Sequence, residues 1–452
     1  MSRPISRPLK ADLPHFGRVF LENEAVSLIS RLEQVQPFSL SMPMVAAASI
    51  SDEAFRAVTD HILLSCRTLR GQVADFIRTI NHPTVSQRSD AAMQAQFAAL
   101  KLRFNAILDQ FDIFADVICQ RAEHRTGVWV AGLDVLASDA LQLSQNLYEA
   151  PPVICFLERG HGAAIRKART RLPGGDQNPV AVIQVPRERM VGSGIASSLV
   201  HEVGHQGAAL LDLVTTIRTD MRQNAPPQYQ RAWTLLSLWI SEIIADFWAM
   251  AHLGIGATLG LISVVSLPRY FMFRIHTDDP HPFPWIRVAL SLAFGEALYP
   301  HVQWHLMRQL WHRLYPLKGL DTETIAVIQD IQAIIPQFVQ LVLQHRNSQT
   351  QRQRLVSLFP IHERQPARLQ QLFRLWQQKP ERVPLSMPSL TFAVIGQARA
   401  DSTISATTES RLLGNLLTQW AWMRAEDRTT GGGGLMRSPS PQVLREFQKF
   451  IQ

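Results

Sequence analysis

Residues 197–214 read SSLVHEVGHQGAALLDLV and decide how the rest of the chain is interpreted. The apolar residues of this stretch recur at helical spacing and predict one buried face: Leu199, Val200, Val203, Leu210 and Leu211. Positions i and i+4 of a helix lie one turn apart on the same face, so His201 and His205 can present two imidazoles to one ion. Glu202 lies beside His201, from where its carboxylate can reach a water molecule bound to that ion.

This His-Glu-x-x-His spacing is used in zinc sites where the metal lowers the pKa of a water molecule and the glutamate accepts its proton. Gly204 costs about 1 kcal/mol of helix propensity relative to alanine, but so small a residue allows a neighbouring element to approach closely. A catalytic zinc also needs a third protein ligand and one open position. The metzincin pattern would place Gly and His where this chain has Ala208 and Leu211, which excludes that pattern.

A second apolar segment, residues 231–250, offers an acidic third ligand. It reads RAWTLLSLWISEIIADFWAM, in which Asp246 follows Glu242 by one helical turn. Two carboxylates on one face of such a helix are costly to bury unless they are paired or bind a cation. An exposed acidic edge is the alternative, but large apolar residues surround it: Trp239, Ile243, Ile244, Phe247 and Trp248.

Three motifs together resemble the gluzincin zinc metallopeptidases: HEVGH at 201–205, SEIIAD at 241–246 and DPHPFPWIR at 279–287. The Glu-x-x-Ala-Asp form and the His-Pro-x-x-x-x-Arg element are closest to the CAAX prenyl endopeptidase and heat-shock membrane metallopeptidase branch. The resemblance covers roughly residues 150–300. It implies a zincin-like catalytic domain that hydrolyses peptide bonds.

Carried over to this chain, the resemblance implies that His201, His205 and Glu242 bind Zn²⁺ and that Glu202 is the general base. Asp246 would fix the tautomer and ring orientation of a ligand histidine. These five residues are the core of the predicted site.

The third motif adds two predicted catalytic residues. The resemblance implies that His281 donates to the oxyanion and that Arg287 supports the acidic groups. The alternatives are an ordinary loop histidine between prolines and a surface charge at the start of a helix. His276, Asp278 and Asp279 lie near enough to influence the site, although capping of the following helix is their expected role.

The composition predicts an ordered protein. The chain has 452 residues, of which 46% are hydrophobic, so wholesale disorder is excluded. Its net charge of +8 comes from basic residues that are dispersed along the chain, so no nucleic-acid partner is expected. Cys66, Cys119 and Cys155 are too far apart for a disulfide framework and are predicted to be buried in a reducing compartment. The N-terminal residues lack the apolar region of a secretory signal, so a cytoplasmic location is expected, with non-classical export left open.

One segment bears on membrane association. Residues 247–268 contain no Asp, Glu, Lys or Arg and are long enough to span a bilayer. Gly254, Gly256 and Gly260 interrupt the run and favour two short buried helices instead. The membrane branch of the family has several spanning helices, so a soluble relative fits this chain better, and prenylated or membrane substrates do not carry over.

The predicted fold class is α+β and mostly helical. Residues 1–150 form a helical region, 151–300 the zincin-like domain with a small sheet, 301–428 a second helical region, and 429–452 a Gly-rich linker with a short helix. N-terminal helices are expected from Ser51, over Asp90 to about Glu123, and over Asp134 to about Tyr148. Strands are expected at 153–158, 180–185 and 389–396, and a long helix at 403–424.

These patterns predict a zinc-dependent endopeptidase that acts on protein or peptide substrates. An extended substrate would add to a sheet edge, which is expected along Val180 to Val185. Two alternatives remain open at this stage. One is a membrane-associated metallopeptidase, and the other is a catalytically silent, zinc-stabilised interaction or effector protein.

Overall fold

A computed structural model describes residues 13–35, 44–82, 89–122, 124–143, 145–158, 163–187, 190, 192–430 and 439–448. Within it the chain forms two compact units that interleave along the sequence. The first takes its residues from Met1–Pro43, Asp52–Cys119 and Arg169–Pro179, and the second from Met44–Ser51, Gln120–Ala168 and Val180–Gln452. The four-segment division expected from the sequence stays a prediction.

The first unit is built from three long helices: α1 (Leu13–Leu32), α2 (Asp52–Ile80) and α3 (Asp90–Cys119). The predicted starts of α2 and α3 are confirmed. Asp52 and Glu53 occupy the first turn of α2, where carboxylates interact favourably with the helix dipole. The three helices share a core of apolar side chains that includes Leu28, Val73, Phe76, Phe97 and Phe104.

The second unit contains a small sheet and the remaining helices. The strands are β1 (Val153–Glu158), β2 (Ala164–Arg166) and β3 (Ala181–Pro186). The helices up to the third motif are α4 (His124–Leu141), α5 (Ser193–Leu210), α6 (Leu213–Asn224), α7 (Gln230–Leu238), α8 (Ile240–Leu253), α9 (Ile255–Val265) and α10 (Arg269–Met272). The later helices are α11 (Pro284–Leu298), α12 (Val302–Leu314), α13 (Thr322–Gln344), α14 (Pro366–Gln378), α15 (Pro388–Ala400), α16 (Ala406–Thr430) and α17 (Pro441–Gln448). The mostly helical α+β prediction is therefore confirmed for the described residues.

The sheet has the order β1-β3-β2, with β3 parallel to β1 and antiparallel to β2. Val153 pairs with Ala181, and Ile165 pairs with Ile183. The strands predicted at 153–158 and 180–185 are confirmed. The expectation that Val180 to Val185 forms an open edge is wrong, because β3 is hydrogen-bonded on both sides. The edges among the described strands are β1 and β2.

Two other predictions of secondary structure are corrected. The predicted strand at 389–396 lies inside the helix α15, whose residues from Pro388 to Ala398 are all buried. A segment buried on all sides lacks the alternation of polar and apolar residues that separates helix from strand. The helix expected from Asp134 to Tyr148 is α4, which begins at His124 and ends at Leu141. The predicted linker, Gly431 to Gly434, lies outside the described residues.

Residues 247–268 form parts of two helices, as the glycines predicted. The helix α8 ends at Leu253, and α9 starts at Ile255. Gly254 between them has φ +56°, a left-handed conformation that side chains other than glycine rarely adopt. Most side chains of both helices are buried within the protein.

One described helix, Thr322–Gln344, is long and apolar enough to cross a membrane, and the bent pair Pro227–Leu238 and Ile240–Leu253 passes the same test when taken together. Helices in the core of a soluble protein pass this test as well.

The prediction that the three cysteines are buried is confirmed only in part, because Cys155 is buried, Cys66 is half-buried and Cys119 is exposed.

Candidate metal centre

The site is formed where α5 and α8 approach each other closely. A Cβ atom added at Gly204 on α5 would lie 2.8 Å from the Cα of Ala245 and 2.8 Å from the Cβ of Trp248, both on α8. No side chain fits in so short a gap, so the glycine permits this contact. The helix propensity lost at Gly204 is the cost of placing the two helices side by side, as the sequence predicted.

Close packing brings the three predicted metal ligands together. His201 Nε2 lies 3.2 Å from Glu242 Oε2, and His205 Nε2 lies 3.4 Å from Glu242 Oε1. One nitrogen from each imidazole and one oxygen of the carboxylate all lie within 4.8 Å of one another, so the group could hold a metal ion. The rings of His201 and His205 are nearly perpendicular, with centroids 4.9 Å apart.

Asp246 and Arg287 hold His201 in place. His201 Nδ1 lies 2.7 Å from Asp246 Oδ1, which keeps a proton on Nδ1 and leaves Nε2 as the nitrogen that faces Glu242. The guanidinium of Arg287 donates to both oxygens of Asp246, with Nε–Oδ2 at 2.7 Å and Nη2–Oδ1 at 2.9 Å. This bidentate pair fixes the carboxylate, and the carboxylate fixes the ring.

The charges and hydrogen bonds around the site favour its cationic groups. Burial opposes protonation of His201, but the charge and hydrogen bond of Asp246, together with Glu242, outweigh it and raise the pKa of His201 to about 9. Burial opposes ionisation of Glu242, yet hydrogen bonds from His201, His205 and His281 hold its pKa far below the usual range. The pKa of Asp246 is also lowered against the effect of burial, by the charges of Arg287 and His201. A cation placed between these carboxylates would meet the same attraction.

The third motif also reaches the site. His281 Nε2 lies 3.2 Å from Glu242 Oε2, and this hydrogen bond raises the pKa of His281 above its ordinary value. Asp279 accepts from the backbone N–H of His281 at 2.9 Å and lies 2.7 Å from its Nδ1. The helix-capping role expected for His276, Asp278 and Asp279 is wrong, because α11 has its N-cap at Phe283 and no side-chain hydrogen bond caps it.

A cavity of about 190 Å³ opens beside the ligands. Its polar lining is Ser197, Ser198, His201, Glu202, Asp246, His281 and Arg287, and its apolar lining is Ala163, Leu261 and Val264. Glu202 is only 5% exposed, so its carboxylate is largely shielded from bulk solvent beside the candidate ligands. A small polar cavity of this kind has room for water molecules.

The structure thus brings all seven predicted site residues to one place. Sequence reasoning missed Ser241, whose Oγ lies 3.3 Å from His205 Nδ1, and the hydrogen bonds of Asp279 to His281. Ser241 directly precedes Glu242, on the helix that was already predicted to face the metal, and that neighbourhood was the available signal. The serines of the cavity wall, Ser197 and Ser198, precede His201 by one turn of α5.

No family model, no curated protein and no solved structure matches this chain. The resemblance to the gluzincins therefore depends on the three motifs and on the geometry around them.

Proposed function

We propose that the protein is a zinc-dependent endopeptidase related to the gluzincins. One observation carries the proposal: the ligand atoms of His201, His205 and Glu242 converge, and a cavity lined by His201 and Glu202 opens beside them. Structural zinc sites usually have four protein ligands, whereas catalytic sites use three and keep one position open. Two histidines and one glutamate are a ligand set of the catalytic kind.

The donor atoms fit zinc by their chemistry. Imidazole nitrogens and a carboxylate oxygen are common zinc ligands, and the buried Glu242 supplies negative charge for a divalent ion. When bound, zinc lowers the pKa of water and polarises a carbonyl group. Zinc is proposed in preference to iron or manganese on the resemblance of the His-Glu-x-x-His helix.

Other residues of the chain would provide proton transfer, stabilisation of the oxyanion and orientation of a ligand histidine. The carboxylate of Glu202 would accept a proton from the attacking water and deliver it to the leaving amine. The imidazole of His281, which is about half exposed at the cavity, would donate to the developing oxyanion. Asp246 and Arg287 would keep the His201 lone pair directed at the metal.

A peptide substrate would approach along β2. This short strand is an edge of the described sheet, and Ala163, directly before it, borders the cavity. An extended peptide can add to such an edge through main-chain hydrogen bonds. We also propose, as the sequence predicted, that the protein is cytoplasmic and that its substrates are proteins or peptides.

The variant Glu202→Gln tests the mechanism. It preserves the shape of the side chain but removes the proton acceptor, so cleavage of a mixed peptide library should fall about 10²- to 10⁴-fold. Zinc content should not change, because Glu202 is not a ligand. Peptide fragments measured by mass spectrometry and bound zinc measured on the same sample give the two readouts.

Glu381→Gln is the matched control, since this exposed glutamate lies in the short helix Pro380–Arg382, outside the cavity lining. It should retain full cleavage. Full cleavage by Glu202→Gln would contradict the proposed mechanism. Bound zinc without cleavage of any peptide by the unaltered chain would favour the silent, zinc-stabilised interaction protein instead.

A further inference from the structure

A second surface of the same unit has an unusual composition. Between Glu296 and Asp321 the sequence contains no acidic residue, but it contains Arg308, Arg313 and Lys318. The helix α12 occupies most of this interval. A surface helix of a soluble protein ordinarily carries both signs of charge on its outer face.

The outer face of α12 carries a stripe of apolar side chains. Val302, Leu306, Leu310 and Leu314 follow one another at intervals of four residues, and each is about half exposed or more. The opposite face is anchored in the protein by two fully buried residues, Trp304 and Trp311. The apolar stripe is therefore exposed to solvent, because the buried tryptophans fix the opposite side of α12 against the protein. None of the described residues covers the stripe.

An aromatic patch adjoins the end of this stripe. Tyr315 donates from its hydroxyl to the carbonyl of Leu267 at 3.2 Å, which joins the end of α12 to the segment before α10. In α10, Tyr270 and Phe271 contact each other edge to face, with centroids 5.1 Å apart, and Tyr270 is 69% exposed. The guanidinium of Arg274 lies over the ring of Tyr270 at 5.7 Å.

The polar side of α12 forms a shallow basic hollow. A cavity of about 420 Å³ is lined by His305, Arg308, Gln309, His312 and Arg313, and no acidic residue is among them. Arg308 pairs with Glu296, whereas Arg313 has no carboxylate partner among the described residues. Arg313 thus gives the hollow an uncompensated positive charge directly beside exposed leucines.

We propose that this surface, which we call the α12 face (residues 302–314 with 267–274), docks onto bilayers that contain anionic phospholipids. The apolar stripe and Tyr270 enter the boundary between headgroups and acyl chains, and lipid phosphates interact with the basic hollow. Apolar residues on one side of a helix and cations beside them are the pattern of peripheral helices that lie in the membrane plane. Aromatic residues such as Tyr270 are favoured at that depth.

The positive charge of the α12 face favours an anionic bilayer over a second copy of the chain as its binding partner. Two α12 faces packed together would bring two copies of Arg313 into one interface, and the carboxylate of Glu296 is already paired with Arg308. An anionic bilayer supplies the missing negative charge, and each nearby Lys or Arg contributes about 1 kcal/mol to its binding. The proposal does not depend on the metal centre, because α12 supplies no ligand to it.

The test is co-sedimentation of the full chain with vesicles of phosphatidylcholine alone and of phosphatidylcholine mixed with phosphatidylserine. The protein should bind the mixed vesicles and bind the neutral ones far more weakly. The double variant Leu306→Ser with Leu310→Ser should lose about tenfold or more in partitioning, because two apolar side chains no longer leave water. Its zinc content and helical circular dichroism should be unchanged, which excludes unfolding as the cause.

Leu64→Ser with Leu102→Ser is the matched control, since both leucines are at least as exposed but belong to the other unit. It should bind vesicles normally. Arg313→Gln should weaken binding about fivefold at low salt, whereas Arg374→Gln, an exposed arginine on α14, should not. Soluble glycerophosphoserine should not displace the protein from vesicles, because it offers no apolar layer.

Three results would overturn the proposal. The first is equal binding to neutral and anionic vesicles. The second is unchanged binding by the leucine variant. The third is no binding to vesicles at all, and in that case a dimer broken by the leucine variant, seen by light scattering, would assign the α12 face to a second copy.

Discussion

Two buried polar clusters in the second unit make an instructive comparison. One is the candidate metal centre around Glu242, and the other is a closed cluster formed by Arg121, Asp134 and Arg424. In the closed cluster, Asp134 accepts from both terminal nitrogens of Arg121 at 3.0 and 3.1 Å and from Arg424 at 3.2 Å. Arg121 and Asp134 are almost completely inaccessible to solvent.

The difference between the clusters lies in what their polar atoms face. The oxygens of Asp134 are used by two guanidinium groups and by the backbone N–H of Cys155, and Arg121 also donates to the carbonyl of Cys155. At the candidate metal centre, one ring nitrogen from each of two imidazoles lies close to the carboxylate of Glu242, beside a cavity. The cluster in which both carboxylate oxygens of Asp134 are paired stabilises the fold, whereas a cluster with converging ligand atoms and adjacent space can perform chemistry.

The largest expected effect breaks the closed cluster. Asp134→Ala leaves Arg121 buried without its counterion, so the free energy of unfolding should fall by about 3–5 kcal/mol. Urea denaturation followed by circular dichroism measures this change. Zinc content per folded chain should stay the same, since the cluster supplies no ligand.

Glu381→Ala provides the reference for removing an exposed carboxylate. We expect it to change the free energy of unfolding by less than about 0.5 kcal/mol. If Asp134→Ala were no more destabilising than this control, the closed cluster would not have the structural role assigned to it.

A smaller effect is expected next to the metal centre. Asp246→Asn removes the negative charge that holds the Nδ1 proton of His201, so zinc affinity should fall about 10- to 100-fold. Competition with a chromophoric zinc chelator measures the affinity. Asp220→Asn is a useful counterpart, because Asp220 holds another buried histidine, His345, at 2.7 Å but lies outside the metal centre. Equal zinc affinities of the unaltered chain, Asp246→Asn and Asp220→Asn would refute the orienting role of Asp246.

The smallest effect concerns His252, a buried polar residue whose ring nitrogens neither converge with other ligand atoms nor form hydrogen bonds within the described residues. Neither ring nitrogen has a hydrogen-bonding partner among the described residues, and the ring lies edge to face with Phe359 at 5.5 Å. Burial, with a contribution from the charge of Arg364, lowers the pKa of His252 to about 3. The folded protein therefore keeps this ring neutral.

The unfolded chain binds a proton at His252 near pH 6.5, so this residue lowers stability progressively as pH falls from about 6.5 to 3. His252→Leu should remove that loss, which amounts to about 2 kcal/mol between pH 7 and pH 5. Urea denaturation at both pH values, with the exposed His362→Leu as control, measures it. An identical pH dependence in His252→Leu and the unaltered chain would show that His252 is not held neutral.

Features that depend on local spacing were predictable from the sequence. One turn of helix separates His201 from His205, and one turn separates Glu242 from Asp246, so their shared faces follow from periodicity. Gly204 indicated a close contact with a neighbouring element, although the sequence alone did not identify that element as α8. The proximity of Glu242 to the histidines required the resemblance in addition, because residues about 40 positions apart cannot be paired by periodicity.

Features that depend on distant pairing were not predictable. The strand β3 lies between β1 and β2 because of a parallel pairing across a long connection, which a single strand pattern does not encode. The helix α15 resembled a strand because it is buried on every side. The hydrogen bonds of Asp279 depend on the path of a loop. A proline-rich loop has no regular periodicity from which the positions of its side chains could be predicted.

Metal analysis of the purified chain tests the central claim most directly. Zinc measured by mass spectrometry should be present at about one ion per chain, should be lost in Glu242→Ala, and should be retained in Glu202→Gln. This outcome would place the third ligand on α8 and separate binding from catalysis. Equal zinc content in Glu242→Ala and the unaltered chain, or no stoichiometric metal in either, would contradict the account.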